Sequence, residues 1–281
     1  LLIAPSIQAS PSPDLLDTNC DVKLQKGLEQ ALEQLNLSKA AAGKNLTIAL
    51  VDITNPFEPR HAYINPNEMM YAASLPKIAI LLGAFDRIAN NEMTLDYSTE
   101  QTLTRMIRNS SNQSATTMLN RVGKDYLADL LQSPRYKLYD PLRNGGLWVG
   151  KEYARVGAWK RDPVNNLSHG ATALQVARFY FMLETGQLVT PEYSRLMKSI
   201  LGEPAINHKF VKGIQSIYPE SNIFRKSGTW KSFHSDSAII EHNNRSYIAV
   251  AMANNPMGGQ WLSDLIVSMD KLIFENAPSQ K

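Results

Sequence analysis

The sequence predicts an α/β fold of the α+β kind: one antiparallel sheet built from both ends of the chain, flanking helices, and an all-helical insert between its halves. Three observations carry this. Two apolar runs around an Asn55-Pro56 turn read as strands, helical periodicity fills the middle of the chain, and from Ile223 onward the pattern becomes strand-like, broken by short polar turns. Strands at both ends with helices between them pair most simply into a single sheet.

Residues 22–37 repeat Leu24, Leu28, Leu32 and Leu35 with charged residues between them, the spacing of an amphipathic helix. Thr47-Ile48-Ala49-Leu50-Val51-Asp52 reads as a strand. A second strand near residues 61–64 follows the proline-containing turn and completes a hairpin. Residues 78–88 form an almost wholly apolar helix, expected to be buried. Further helices are expected over 113–122, 125–131, 171–184 and near 191–201. Strands are expected over 223–230, 235–242 and 246–254, the last two joined at Asn243-Asn244, and a helix over 261–274 closes the chain.

With 281 residues, 43% hydrophobic and 20% charged, the chain is long enough for one large domain or two closely packed parts. Residues 1–21 read as a flexible N-terminal lead or as the remnant of a secretory signal, since an apolar start gives way to small residues and prolines. Residues 22–281 read as one domain, with 22–70 and about 205–281 forming the α/β part and about 71–204 the helical part. No apolar run is long enough to span a bilayer, so no stable membrane insertion is expected. A net charge of +3 without a basic run gives nucleic acid no electrostatic footprint. Cys20, the single cysteine, excludes an internal disulfide and a cysteine-rich metal site and fits either redox compartment. The sequence assigns no oligomeric state.

The chemistry concentrates in three short motifs. Ser74-Leu75-Pro76-Lys77 opens the apolar helix, and residues three apart share a helix face, so a neutral Lys77 amine can take the proton of the Ser74 hydroxyl. Ser268-Met269-Asp270-Lys271 has the same spacing but falls inside the closing helix, where it reads as a solvated face. Ser110-Ser111-Asn112 precedes a helix. It offers a hydroxyl and an amide that can point one way, and it also fits ordinary helix capping. Lys226-Ser227-Gly228-Thr229 lies on the first C-terminal strand, with a glycine where something approaches the backbone; a bulged surface strand is the alternative.

In this order and setting, SxxK, SxN and Lys-Ser/Thr-Gly resemble the penicillin-recognising serine hydrolases, the class A β-lactamases and the penicillin-binding DD-peptidases. Ala171-Thr172-Ala173-Leu174-Gln175-Val176-Ala177-Arg178-Phe179-Tyr180 is similar to the class A helix after the omega loop, and Thr185-Gly186 and Pro191-Glu192 also fit. The resemblance implies Ser74 as the acylated nucleophile, Lys77 as its proton acceptor and Ser110 as the relay to the leaving nitrogen. It gives Asn112 the substrate amide, and gives Lys226 and Ser227 the substrate carboxylate. Gly228 leaves room at the strand, and the backbone N–H groups of Ser74 and Thr229 form the oxyanion hole. It implies a small-molecule or peptide substrate bearing a carboxylate, no metal or other cofactor, and a periplasmic or secreted location.

The chain departs from class A where an ExxLN pattern belongs, in residues 145–170. Asn165-Asn166-Leu167 matches its tail, but no glutamate has the required offset. Glu152, Asp162 and His169 are the candidates for a substitute deacylating base; each also has a structural reading, as a solvated acid, a turn cap and a packed imidazole. Trp148, Tyr153 and Trp159 imply that this connection packs down, over the site or into the core. His234 either lines the site or ends a strand. A serine hydrolase that forms an acyl-enzyme on Ser74 with β-lactams or related amides and releases it slowly is therefore expected; the alternatives are a DD-peptidase, amidase or esterase with a non-lactam substrate, and a penicillin-binding sensor without turnover.

Overall fold

The computed structural model describes residues 10–276. Helix α1 (Val22–Gln34) and the short α2 (Ser38–Ala42) precede strands β1 (Leu46–Asp52) and β2 (Arg60–Ile64). The two-residue β3 (Met70–Tyr71) leads into four helices, α3 (Lys77–Ala89), α4 (Tyr97–Arg108), α5 (Asn112–Val122) and α6 (Lys124–Gln132). Short strands β4 (Tyr139–Asp140), β5 (Gly145–Gly146), β6 (Trp148–Val149) and β7 (His169–Ala171) come next, then α7 (Ala173–Glu184), α8 (Pro191–Leu201) and α9 (Phe210–Gln215). Strands β8 (Asn222–Trp230), β9 (Phe233–His242) and β10 (Arg245–Asn254) and helix α10 (Gly258–Glu275) end the described chain.

The main sheet runs β2-β1-β10-β9-β8 and is antiparallel throughout, so both ends of the chain build it, as the sequence predicts. Side chains alternate across a strand, and here both faces are covered. In β1, Ile48 and Leu50 pack with α1 and α10 residues such as Leu28, Ile266 and Met269. Ala49 and Val51 face the other core with Val176 and Tyr180 of α7. Two-sided burial explains why β1 reads as an unbroken apolar run. Strand β8 is an edge, and the helical part lies against it.

Helix α3 is the axis of that helical part and is apolar on nearly every side. A side chain on Gly83 would place Cβ 2.8 Å from Val122 Cγ1, so the glycine lets the end of α5 close onto α3. The N-terminal side chains of the neighbouring helices behave as their sequences suggest. Asp21 accepts the Leu24 N–H at 2.9 Å to start α1, and Asp96 accepts the Thr99 N–H at 2.8 Å to start α4.

Three expectations change. Residues 13–17, placed in the N-terminal lead, form a 3-10 turn with Leu16 buried, and Arg178 on α7 bonds Asp14 and Asp17; the signal reading of the first residues lies outside the described chain. The part expected to be all-helical also holds the five short strands β3 to β7. Helix α4 was not expected at all: Leu103, Met106 and Ile107 make a narrow apolar stripe on an otherwise polar segment. Among the described residues no helix is long and apolar enough to cross a membrane.

Candidate active site

Strand β3 pairs with β7, and the next residue, Ala72, donates its N–H to the His169 carbonyl at 3.0 Å. The chain then turns sharply. Ala73 holds φ +51°, a left-handed conformation that costs an L-residue about 1–3 kcal/mol and is tolerated where the surroundings fix it. Ser74 follows, half-buried, in the turn that enters α3. Strand β8 presses on this turn from the sheet side: a Cβ on Gly228 would lie 2.2 Å from the Ala72 carbonyl oxygen and 2.7 Å from the Ser74 nitrogen. Only glycine fits there. Ser235 Oγ on β9 donates to the same Ala72 oxygen at 2.9 Å. No group among the described residues accepts the Ser74 N–H, which leaves it free for an oxyanion.

Ser74 borders a cleft of ≈ 380 Å³ together with Tyr71, Asn112, Glu152, Tyr153, His169 and Thr229. Beneath it lies Lys77, fully buried. Its Nζ donates to the Ser110 carbonyl at 2.7 Å and to Asn112 Oδ1 at 2.8 Å, with Ser110 Oγ at 3.4 Å. No hydrogen bond joins this amine to Ser74, contrary to the direct contact that the spacing suggests, because the three acceptors before α5 draw it sideways. Ser110 adopts φ +56°, which turns its carbonyl toward Lys77. The capping role falls instead to Ser111, whose Oγ accepts the Ser114 N–H at 3.1 Å. Burial lowers the Lys77 pKa to about 7, so a large share of the amine is neutral at neutral pH.

Lys226 reaches the same cluster from β8, donating to Ser110 Oγ at 2.9 Å and to the Ser227 carbonyl at 2.7 Å. Burial, and then the nearby Lys77 charge, hold its pKa well below the usual lysine range. Ser227 is buried beside it, and Thr229 is exposed at the cleft edge. A third lysine, Lys209, sits under Thr229 and donates to Gly228 O at 2.6 Å, Thr229 Oγ1 at 2.8 Å and Ser235 O at 3.0 Å. Its pKa is lowered to about 8, chiefly by burial. Nothing in the sequence marked Lys209, because only the fold brings the start of α9 under the strand. It also borders a separate pocket of ≈ 290 Å³ with His208, Lys212 and His234. His234 is thus a strand-end residue of that pocket and does not line the Ser74 cleft.

Residues 145–170 divide the three candidate bases. Asp162 is buried and does not line the cleft. It accepts the Tyr139 hydroxyl at 3.0 Å and the N–H groups of Val164, Asn165 and Leu167, which makes it the organiser of its own turn. Glu152 does line the cleft, but its carboxylate is paired with Lys124 at 2.6 Å, and that bond lowers its pKa. His169 lines the cleft with its pKa pushed down to about 4 by burial. A neutral imidazole has one N–H, and a carbonyl can only accept. The Nε2 contact to Lys151 O at 3.0 Å therefore fixes the proton on Nε2, leaving Nδ1 to Ser168 Oγ at 3.4 Å. Of the aromatics, Trp148 is core, Trp159 is half-buried, and Tyr153 alone reaches the catalytic cluster, its ring centroid 4.5 Å from Lys77 Nζ.

This arrangement supplies a nucleophile, a buried amine, a hydroxyl between two lysines and a strand edge beside a free N–H. Residues 27–97 and 94–276 match the family model described as Beta-lactamase enzyme family. No curated protein matches the chain. A solved structure of PBP-A has a TM-score of 0.69 at 16% identity, covering 96% of this chain and 100% of that one. A variant of PBP-A, described as an acyl-enzyme complex with penicillin G, gives 0.67 at 17%, with 90% and 97% covered. The beta-lactamase of Sphaerobacter thermophilus DSM 20745 gives 0.69 at 14%, with 90% and 99% covered. At such identities the likeness is one of fold.

Proposed function

Because the chain belongs to the beta-lactamase enzyme family, we propose that it is a serine hydrolase acylated at Ser74 by β-lactams or related amides, and that it releases the acyl group slowly. The observation that carries this reading is the buried Lys77, which holds the Ser110 and Asn112 loop beneath the nucleophile and has no carboxylate on it. The Ser74 oxygen adds to the carbonyl carbon while its proton passes to the neutral Lys77 amine. The C–N bond then breaks. Ser110 gives its proton to the leaving nitrogen and regains one from the Lys77 ammonium, so the net transfer runs from Ser74 to nitrogen and an ester remains on Ser74. The backbone N–H groups of Ser74 and Thr229 stabilise the oxyanion. Asn112 takes the substrate amide. The strand edge at Lys226 and Ser227, with Lys209 below it, takes the carboxylate, whose own charge favours the ammonium form of Lys226.

Release needs a water and a base. The one carboxylate at the cleft, Glu152, is engaged by Lys124, and neutral His169 is a weak base, which supports slow hydrolysis of the ester. Intact-mass measurement after mixing with benzylpenicillin tests the reading: a persistent adduct of one penicillin is expected, lost in Ser74→Ala, and neither adduct nor hydrolysis refutes it. A second reading keeps the nucleophile and changes the acyl donor to a peptide, amide or ester, since residues 145–170, which depart from class A, are where selectivity and release would differ. A panel of chromogenic lactams, D-alanyl peptides and simple esters separates the two. The family also supports a periplasmic or secreted location, which fractionation checks.

A further inference from the structure

Tyr153 makes three contacts that no role described so far requires. Its ring lies over the Lys77 amine at 4.5 Å, its hydroxyl donates to the Ala73 carbonyl at 3.4 Å, and its ring also packs on the His169 ring at a centroid distance of 4.3 Å. It also lines the Ser74 cleft. We propose that Tyr153 is a positioning residue for acylation: its ring walls the Lys77 amine off from cleft water, and its hydroxyl ties that wall to the strained residue before the nucleophile. The proposal rests on Lys77 being the base that serves Ser74.

The groups that face Lys77 leave this side as the decisive one. The loop before α5 contributes Ser110 and Asn112, both uncharged, and β8 contributes Lys226, a like charge. Residues 151–169 contribute Tyr153 and, behind it, neutral His169, whose Nε2–H is anchored on Lys151 O. The ring acts on Lys77 in two opposed ways. Its π face attracts an ammonium, and its bulk removes the water that would solvate one. Burial lowers the Lys77 pKa to about 7, and the ring over the amine is part of that burial. His169 thereby has a use that does not require it to be a base: it backs the wall.

The test reads Lys77 directly. The ¹³Cε resonance of Lys77, assigned with Lys77→Met, is titrated in the wild type and in Tyr153→Phe, Tyr153→Leu and Tyr153→Ala, alongside the pH profile of acylation by a fluorescent penicillin. The wild-type midpoint is expected near the depressed value and Tyr153→Phe close to it. In Tyr153→Leu and Tyr153→Ala the midpoint rises by about one unit or more, so acylation at neutral pH falls about fivefold or more and recovers in alkaline buffer. A rate lost equally at every pH with an unmoved midpoint overturns the proposal, as does a wild-type Lys77 that titrates like an ordinary lysine. If Tyr153→Ala does not fold, Tyr153→Leu and the wild-type titration decide. The titration needs no acylation: a Tyr153-dependent midpoint without any penicillin adduct refutes the acyl-transfer reading alone, whereas a normal adduct with an unmoved midpoint refutes the role of Tyr153 alone.

Discussion

Arg225 and Lys226 are neighbours on β8, point to opposite faces of the strand, and are both buried, yet the protein treats their charges differently. Arg225 has a dedicated counter-ion: its Nε and Nη2 meet the two oxygens of Asp236 at 2.7 and 2.8 Å, and Nη1 donates to Ile206 O at 2.9 Å. Lys226 has only neutral acceptors, and the same holds for Lys77 and Lys209. A bidentate pair holds a charge in place permanently. An ammonium with neutral partners in a dry site is held weakly and gives up its proton readily, which is what a base and a proton relay require. Across the thickness of one strand the fold thus separates a paired charge from an amine without a counter-ion.

The sharpest way to break this contrast is to remove the counter-ion. Asp236→Ala leaves Arg225 buried and unpaired, and a loss of about 3–5 kcal/mol in urea unfolding is expected. Two residues further along β8, Gly228→Ala forces a Cβ against backbone atoms of the nucleophile turn; we expect a loss of about 1–3 kcal/mol together with the loss of the penicillin adduct. Lys77→Met has the opposite sign for stability. It removes a buried amine without a counter-ion, so a gain of about 1–2 kcal/mol at neutral pH should accompany complete loss of acylation.

The pH dependence follows from the same residue. Native Lys77 sheds its proton above about 7, whereas the unfolded chain keeps it up to the ordinary lysine value of 10.5. Between those values the unfolded state binds more protons, so native stability rises with pH, by up to about 1.4 kcal/mol per unit from this group. Thermal melts across that window should show a shallower rise in Lys77→Met. An unchanged slope would mean that Lys77 is charged in the native protein and that the contrast with Arg225 is false.

Much of this was legible in the sequence because it depends on local spacing. Ser74 and Lys77 sit at the head of an apolar helix, Ser110 and Asn112 flank a helix start, and Gly228 marks the point where β8 meets the nucleophile turn. The sheet was legible for the same reason, since strand-like runs at both ends leave one simple pairing. What escaped is tertiary. The apolar stripe of α4 is too narrow to stand out among its polar neighbours. Lys209 gains meaning only once the start of α9 passes beneath β8. The choice among Glu152, Asp162 and His169 depended on how the segment folds: Lys124 and Tyr139 reach it from outside residues 145–170, and Lys151 meets His169 only once the segment closes on itself.

The contacts of Lys77 set a direction for proton movement. As an ammonium it spends two N–H bonds on acceptors at 2.7 and 2.8 Å and aims the third at Ser110 Oγ, 3.4 Å away. Once neutral, the amine keeps the two short bonds, and a lone pair replaces the third N–H, where it can accept from a serine hydroxyl, that of Ser110 or that of Ser74. Ser110 Oγ already accepts from Lys226 at 2.9 Å, so its own hydrogen is free to turn. Ser110 thereby joins Lys226 to Lys77, and the sense of its bond to Lys77 follows the protonation of that amine.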